Sequence, residues 1–98
     1  MNPDKVKSII RLGQTDDVIF LDCNDHSFDI SPHIKNMLDF KSGYILLGVK
    51  DCGTVVGIKD KEDVLLKSIS PLTEFTPIKI HVVSLIRYFK IIVLEYFE

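Results

Sequence analysis

The sequence has few cysteines and no long apolar run, and each shortage excludes a class of protein. Its 98 residues include two cysteines, Cys23 and Cys52, with no Cys-x-x-Cys pair and no histidine at ligand spacing, so no zinc motif is present. The longest apolar stretch, near the C-terminus, is interrupted by Arg87, Lys90 and Glu95 and is too polar to cross a bilayer. Because no signal-peptide pattern is present either, we expect an intracellular protein, cytoplasmic or nuclear, with reduced thiols and no membrane partner.

The chain also lacks a surplus of positive charge. It carries 12 basic and 14 acidic residues, which give a formal net charge of −2 at pH 7. Proteins that bind nucleic acid mainly through phosphates are usually basic, so tight binding by this chain alone is not expected. Two groups of basic residues are candidates for local nucleic-acid contact: Lys50, Lys59 and Lys61 around a central hairpin, and Lys5, Lys7 and Arg11 near the start. An ordinary solvated surface is the simpler explanation of both groups.

Length and composition indicate one globular domain over residues 1–98. Apolar residues make up 46% of the chain and charged residues 27%, the proportions of a folded domain rather than of a disordered or fibrous segment. The mean hydropathy of +0.19 is high for so short a chain. Either the strands form a core with few polar loops, or a partner covers part of the apolar surface.

Apolar periodicity and turn residues predict an α+β fold. Helices are predicted near 3–12, 31–40 and 61–69, and strands at 18–21, 77–84 and 88–96, with a hairpin before the third helix. Ser31 is the predicted N-cap of the second helix, Val64 is predicted to face the core, and Pro71 is predicted to lie in a loop. This order predicts a single mixed sheet with two or three helices, mostly on one face. The last two strands are apolar on both faces, which is typical of central or covered strands.

The hairpin segment, residues 43–58, is the most informative part of the chain. It reads Gly-Tyr-Ile-Leu-Leu-Gly-Val-Lys-Asp-Cys-Gly-Thr-Val-Val-Gly-Ile. This pattern predicts a strand over 44–49, a turn over 50–53 and a returning strand over 54–58, with Cys52 half-buried. Gly48 and Gly57 lie in or at the end of these strands, where a glycine indicates a bulge or a close approach by another backbone or a ligand.

The order of motifs around this hairpin resembles that of a known family. An apolar helix leads into the small-residue turn at 39–43, and an apolar strand then ends in Gly48-Val49, followed by Asp51, Gly53 and a Val-x-Gly-like ending. Over about residues 16–58 this resembles the Schlafen-like domain, also called AlbA-like or divergent AAA-associated. The resemblance implies a single Schlafen-like lobe, an RNA ligand with DNA as the alternative, and, in active members, metal-dependent endoribonuclease activity.

The resemblance also implies three acidic site residues. Carried over by position, they fall on Asp17, Asp22 and Asp51, which would be catalytic and would hold Mg²⁺ or Mn²⁺. Two family glutamates are aspartates here, and the Phe-Lys pair after the second acid is Cys23-Asn24. Five residues of extended strand span roughly 16 Å, so Asp17 and Asp22 can share a metal only if the chain turns between them. Ordinary strand-end and turn roles are the alternative for all three acids.

Several apolar residues near the C-terminus predict association with another chain. The candidate interface consists of Leu85, Ile86, Tyr88, Tyr96 and Phe97. Schlafen nucleases resemble two such lobes joined together, so the resemblance implies a partner that is another Schlafen-like chain, as a homo- or hetero-oligomer. The function this implies is a subunit of an endoribonuclease complex acting on structured or precursor RNA, with this lobe degenerate and contributing RNA binding or assembly. The alternative is an inactive nucleic-acid-binding or oligomerisation module unrelated to cleavage.

Overall fold

The fold is α+β, with three helices and a single mixed four-stranded sheet, as predicted. A computed structural model describes residues 1–22, 29–85 and 89–97. In chain order the elements are α1 (Pro3–Leu12), β1 (Val18–Leu21), α2 (Ser31–Phe40), β2 (Ser42–Leu47), α3 (Glu62–Thr73), β3 (Lys79–Ser84) and β4 (Lys90–Phe97). In the described ranges, no helix has the length and apolar character required to span a bilayer.

The strand order across the sheet is β1-β2-β4-β3. β1 runs parallel to β2, and β4 lies antiparallel to both β2 and β3. The four residues from Ile91 to Leu94 in β4 are fully buried, which confirms the prediction that this strand is covered on both faces. β3 was also predicted to be a central or covered strand. It is instead an edge strand, and its Val82 is 42% exposed.

The helices cover the two faces of the sheet unequally. α2 and α3 pack on one face, where Ile34, Met37 and Ile69 join Ile45 and Leu94 in one core cluster. α1 lies on the other face, where its Val6 and Ile9 pack against a second cluster of β-strand residues. Two of the three helices therefore share a face, and α1 alone covers the other.

α1 begins and ends where its capping residues dictate. Asn2 is the N-cap, and its Oδ1 accepts a hydrogen bond from the Lys5 backbone N–H at 2.8 Å. Pro3 occupies the first turn, where no intrahelical N–H bond is lost. Gly13, at φ 85°, donates its N–H to Ile10 O and ends the helix.

Three local predictions about the other helices are wrong. Ser31 is the first residue of α2 rather than its cap, and its N–H donates to Asp29 Oδ1. α3 continues through Pro71 to Thr73, and the Thr73 hydroxyl donates to Ile69 O in the last turn. Val64 is 64% exposed, since the buried stripe of α3 runs through Leu65 and Ile69 instead.

The hairpin forms, but its returning limb is shorter than predicted. After β2 the limbs pair through a single bridge between Val49 and Val55, and the Lys50 N–H donates to Thr54 O at 2.9 Å. A Cβ placed on Gly48 would lie 3.0 Å from the carbonyl carbon of Gly57. The predicted close backbone approach is therefore confirmed, and its partner is the second glycine of the same hairpin.

Candidate functional site

Two of the three predicted acids lie at the same edge of the sheet. Asp22 directly follows β1 and Asp51 lies in the turn after β2. Because β1 and β2 are parallel, their carboxyl ends meet, and the Gly48 and Val49 N–H groups both point to Leu21 O, at 2.8 and 3.4 Å. Asp22 is half-buried and Asp51 is exposed. We refer to these two acids as the Asp22–Asp51 edge.

Gln14 ties the turn that carries Asp51 to the neighbouring strand. Its side-chain amide donates to Asp51 O at 3.5 Å, while its Oε1 accepts the Phe20 N–H at 3.0 Å. One side chain therefore bridges the hairpin turn and β1. This link limits how far Asp51 can move from the carboxyl end of β1.

Asp17 lies at the opposite end of β1. It is exposed, its carbonyl accepts the Tyr44 N–H at 2.7 Å, and it borders a cavity of about 70 Å³ shared with His33 and Asn36 of α2. The strand between Asp17 and Asp22 is regular, so the chain does not turn back and the two acids are separated by roughly 16 Å.

The three predicted acids are thus divided between the two ends of β1. In the ranges 1–22, 29–85 and 89–97, no group of three or more His, Cys, Asp or Glu residues is placed to hold a metal ion. Asp22 and Asp51 are the two predicted acids that share the carboxyl end of β1 and β2.

The predicted basic residues lie at the same end of the molecule as this edge. The Ile58 N–H donates to Lys90 O at 2.9 Å, which holds the segment 58–61 beside the start of β4. That start pairs with the end of β2, from which the turn carrying Lys50 extends. Lys50 and Lys59 are exposed, and Lys61 is half-buried at the N-cap of α3.

The predicted interface residues do not form one surface among the described positions. Tyr96 packs with the α2 and α3 face, whereas its neighbour Phe97 points to the other face and is 57% exposed. Leu85 packs against the α1 face. Because β4 pairs on both sides, it offers no free backbone edge to another chain. Ile86 and Tyr88 lie outside the described residues.

Cys52 is exposed, so the expectation of a half-buried cysteine is wrong. Its Sγ lies 3.2 Å from Thr54 Oγ1. A hydroxyl that donates to the thiolate stabilises it, and this bond lowers the pKa of Cys52.

A cluster that the sequence did not indicate lies on the α1 face. The rings of Tyr44 and Phe97 meet edge to face with centroids 4.8 Å apart, and Lys5 Nζ lies 5.9 Å from the Tyr44 ring centroid. Glu95 contacts His81 Nε2 at 3.2 Å and Lys5 Nζ at 3.9 Å. These residues come from four elements, so only the strand register could have brought them together. The one available signal was the alternation of Glu95 and Phe97 along β4.

Comparisons of the chain with protein-family models, with curated proteins and with solved structures find no match. The Schlafen-like resemblance therefore depends on the motif residues alone.

Proposed function

We propose that this chain is a Schlafen-like lobe that contributes RNA binding or assembly to a metal-dependent endoribonuclease acting on structured or precursor RNA. The division of the three acids between the two ends of β1 is the observation that carries this proposal. A lobe with only two of the acids at one edge needs another chain to complete a cleavage site. The partner in this proposal is a second Schlafen-like chain, identical or different.

The end of the molecule at the Asp22–Asp51 edge supports RNA contact. Lys50 and Lys59 are exposed there and are available to bind phosphates. If a partner supplies the remaining ligands, Asp22 and Asp51 are the residues that would hold Mg²⁺ or Mn²⁺, an ion that polarises a phosphodiester and activates water. The proposal includes an intracellular location, which the free, exposed Cys52 supports.

Cleavage and binding of a labelled hairpin RNA test this proposal. We expect the purified chain to bind the RNA. With an identical partner the purified chain would cleave it with Mg²⁺ or Mn²⁺, whereas with a different partner cleavage would require that the second chain be added. Cleavage by the chain alone that is abolished by both Asp51→Ala and Asp17→Ala would show a complete three-acid site and overturn the proposal. Cleavage in which neither variant changes the rate would exclude a metal role for both aspartates.

The alternative is an inactive oligomerisation module with no role on RNA. The same experiment distinguishes it, because such a module would show no salt-dependent RNA binding at all. Light scattering of the purified chain gives the second readout. We expect an oligomer larger than one chain. A monomer that also fails to bind RNA would contradict both the proposed RNA binding and the proposed assembly.

A further inference from the structure

At one end of the α1 face, Lys79 and Phe97 are exposed while Tyr44 and Glu95 are half-buried. Three residues lie side by side across this end, because Glu95 of β4 is directly opposite both Tyr44 of β2 and Lys79 of β3. The apolar part of the face, under Val6 and Ile9, lies further along the strands. The open end therefore combines aromatic, acidic and basic side chains on one surface.

A cavity of about 160 Å³ opens at this end of the face. It is lined by Pro77, Lys79, Glu95 and Phe97, and we call it the Phe97 pocket. Phe97 is 57% exposed although its ring is held against Tyr44. An aromatic ring that is fixed on one side and open on the other is the kind of surface on which unpaired bases stack.

Glu95 is held in place by two basic side chains. His81 Nε2 lies 3.2 Å from its Oε1 and Lys5 Nζ lies 3.9 Å from its Oε2. The Glu95 side chain is 19% exposed and lines the Phe97 pocket. A carboxylate has about four acceptor positions, and these two contacts leave room for a further donor.

The charges around the pocket suit a nucleotide. Lys79 lines the pocket opposite Glu95, and Lys5 Nζ lies 3.9 Å from Glu95. A phosphate beside the pocket would be attracted to these lysines while the carboxylate meets the base. Glutamate accepts hydrogen bonds from the amino group of cytosine, whereas uracil presents a carbonyl oxygen at the same position. A base that carries this amino group therefore fits the pocket better.

We propose that the Phe97 pocket binds one unpaired nucleobase of an RNA strand and prefers cytosine to uracil. The base stacks on Phe97, its amino group donates to Glu95, and Lys79 pairs with the adjacent phosphate. This inference depends on the proposed RNA-binding function and adds a second contact to it. The pocket lies at the other end of β2 from the Asp22–Asp51 edge, roughly 17 Å away by strand length, so one strand must be several nucleotides long to reach both.

Fluorescence anisotropy with labelled oligocytidylate and oligouridylate of equal length tests the pocket. We expect tighter binding of oligocytidylate by the unaltered chain. Phe97→Leu keeps an apolar side chain but removes the stacking ring, and we expect it to weaken binding about tenfold. Phe89→Leu is the matched control, since Phe89 is also exposed and precedes the far end of β4, and it should leave the affinity unchanged.

A second variant separates base recognition from stacking and from folding. Glu95→Gln keeps the size of the side chain but offers both a donor and an acceptor, so we expect the preference for cytosine to disappear. Equal binding of oligocytidylate and oligouridylate by the unaltered chain would contradict the proposed base preference of the Phe97 pocket. Equal effects of Phe97→Leu and Phe89→Leu would contradict stacking on Phe97. Either result would leave the proposed function intact. Failure to bind either strand or the hairpin RNA would overturn the proposed function as well.

Discussion

The glycine pair in the hairpin shows how single residues determine the candidate site. Gly48 has φ 105° and Gly57 has φ 75°, values that side-chain-bearing residues rarely adopt. The Val56 and Gly57 N–H groups both donate to Gly48 O, at 2.8 and 2.9 Å. These contacts hold the hairpin at the carboxyl end of β2, and the turn that carries Asp51 and Lys50 extends from there.

Replacing Gly48 should destabilise the protein more than replacing another glycine of similar backbone conformation. In Gly48→Ala the added Cβ meets the Gly57 backbone at 3.0 Å, a contact that no flexible side chain can relieve. We expect a loss of about 3 kcal/mol in the free energy of unfolding, measured by urea denaturation.

Gly13→Ala provides the control for this prediction. Gly13 has φ 85°, but nothing lies within 4 Å of a Cβ at that position, so only the backbone strain remains. We expect a loss of about 1 kcal/mol. Equal losses in the two variants would show that the close approach of the hairpin limbs does not limit residue 48.

At the scale of single residues, the sequence indicated the Gly48 contact and the condition on which the arrangement of the acids depends. A glycine inside a strand pattern indicates a bulge or a close approach by another backbone, and the close approach is confirmed at Gly48. The predicted strand over 18–21 already placed Asp17 and Asp22 at its two ends, about 16 Å apart if the chain is extended. The structure confirms that strand as β1, so the two acids are separated.

Among the secondary-structure elements, β4 contributes most to the core. It pairs with β2 on one side and β3 on the other, and its residues from Ile91 to Leu94 enter both core clusters. Burial on both faces follows from the placement of α2 and α3 on one side and of α1 on the other. β3, by contrast, has a neighbour on one side only.

Truncation on β4 should cost far more than truncation of the residue directly opposite on β3. Ile92 is fully buried, whereas its cross-strand neighbour Val82 lies on the same face and is 42% exposed. We expect Ile92→Ala to lower the free energy of unfolding by about 4 kcal/mol and Val82→Ala by less than about 1 kcal/mol. Chemical denaturation measures both, and losses of similar size would contradict the edge position of β3.

The bounds of α1, β1 and α2 were predictable, whereas the end of α3 and the edge position of β3 were not. α1, with Asn2, Pro3 and Gly13 at its ends, has the predicted bounds. α3 extends through Pro71 to Thr73 although proline inside a helix removes one backbone hydrogen bond, and no sequence pattern shows this extension. β3 and β4 have similar apolar content, so their edge and central positions were decided by pairing alone.

For the whole molecule, the arrangement of charge matters more than the total. The net charge of −2 argues against general affinity for nucleic acid, yet the candidate lysines lie together at the end that carries the Asp22–Asp51 edge. The total charge and the position of these lysines around the hairpin could be read from the sequence. The pairing of β2 with β4 adds that the same end of the molecule carries Asp22 and Asp51.

The salt dependence of RNA binding tests this grouping. Three phosphate contacts by Lys50, Lys59 and Lys61 predict a slope of about −2 for log affinity against log salt, or about 20-fold weaker binding on going from about 50 to 200 mM. Lys50→Ala should reduce the slope by about 0.7. Lys35→Ala, at an exposed position on α2, should leave it unchanged, and an equal effect of the two variants would show that these lysines do not act as a group.

The central position of β4 also has a consequence for how the protein is made. β4 is the latest of the four strands in chain order, and it lies between two earlier ones. During translation, β2 and β3 cannot acquire their shared antiparallel neighbour until residues 90–97 emerge from the ribosome. Until then both strands present open edges to other nascent chains, and this is the stage at which a chaperone would be needed.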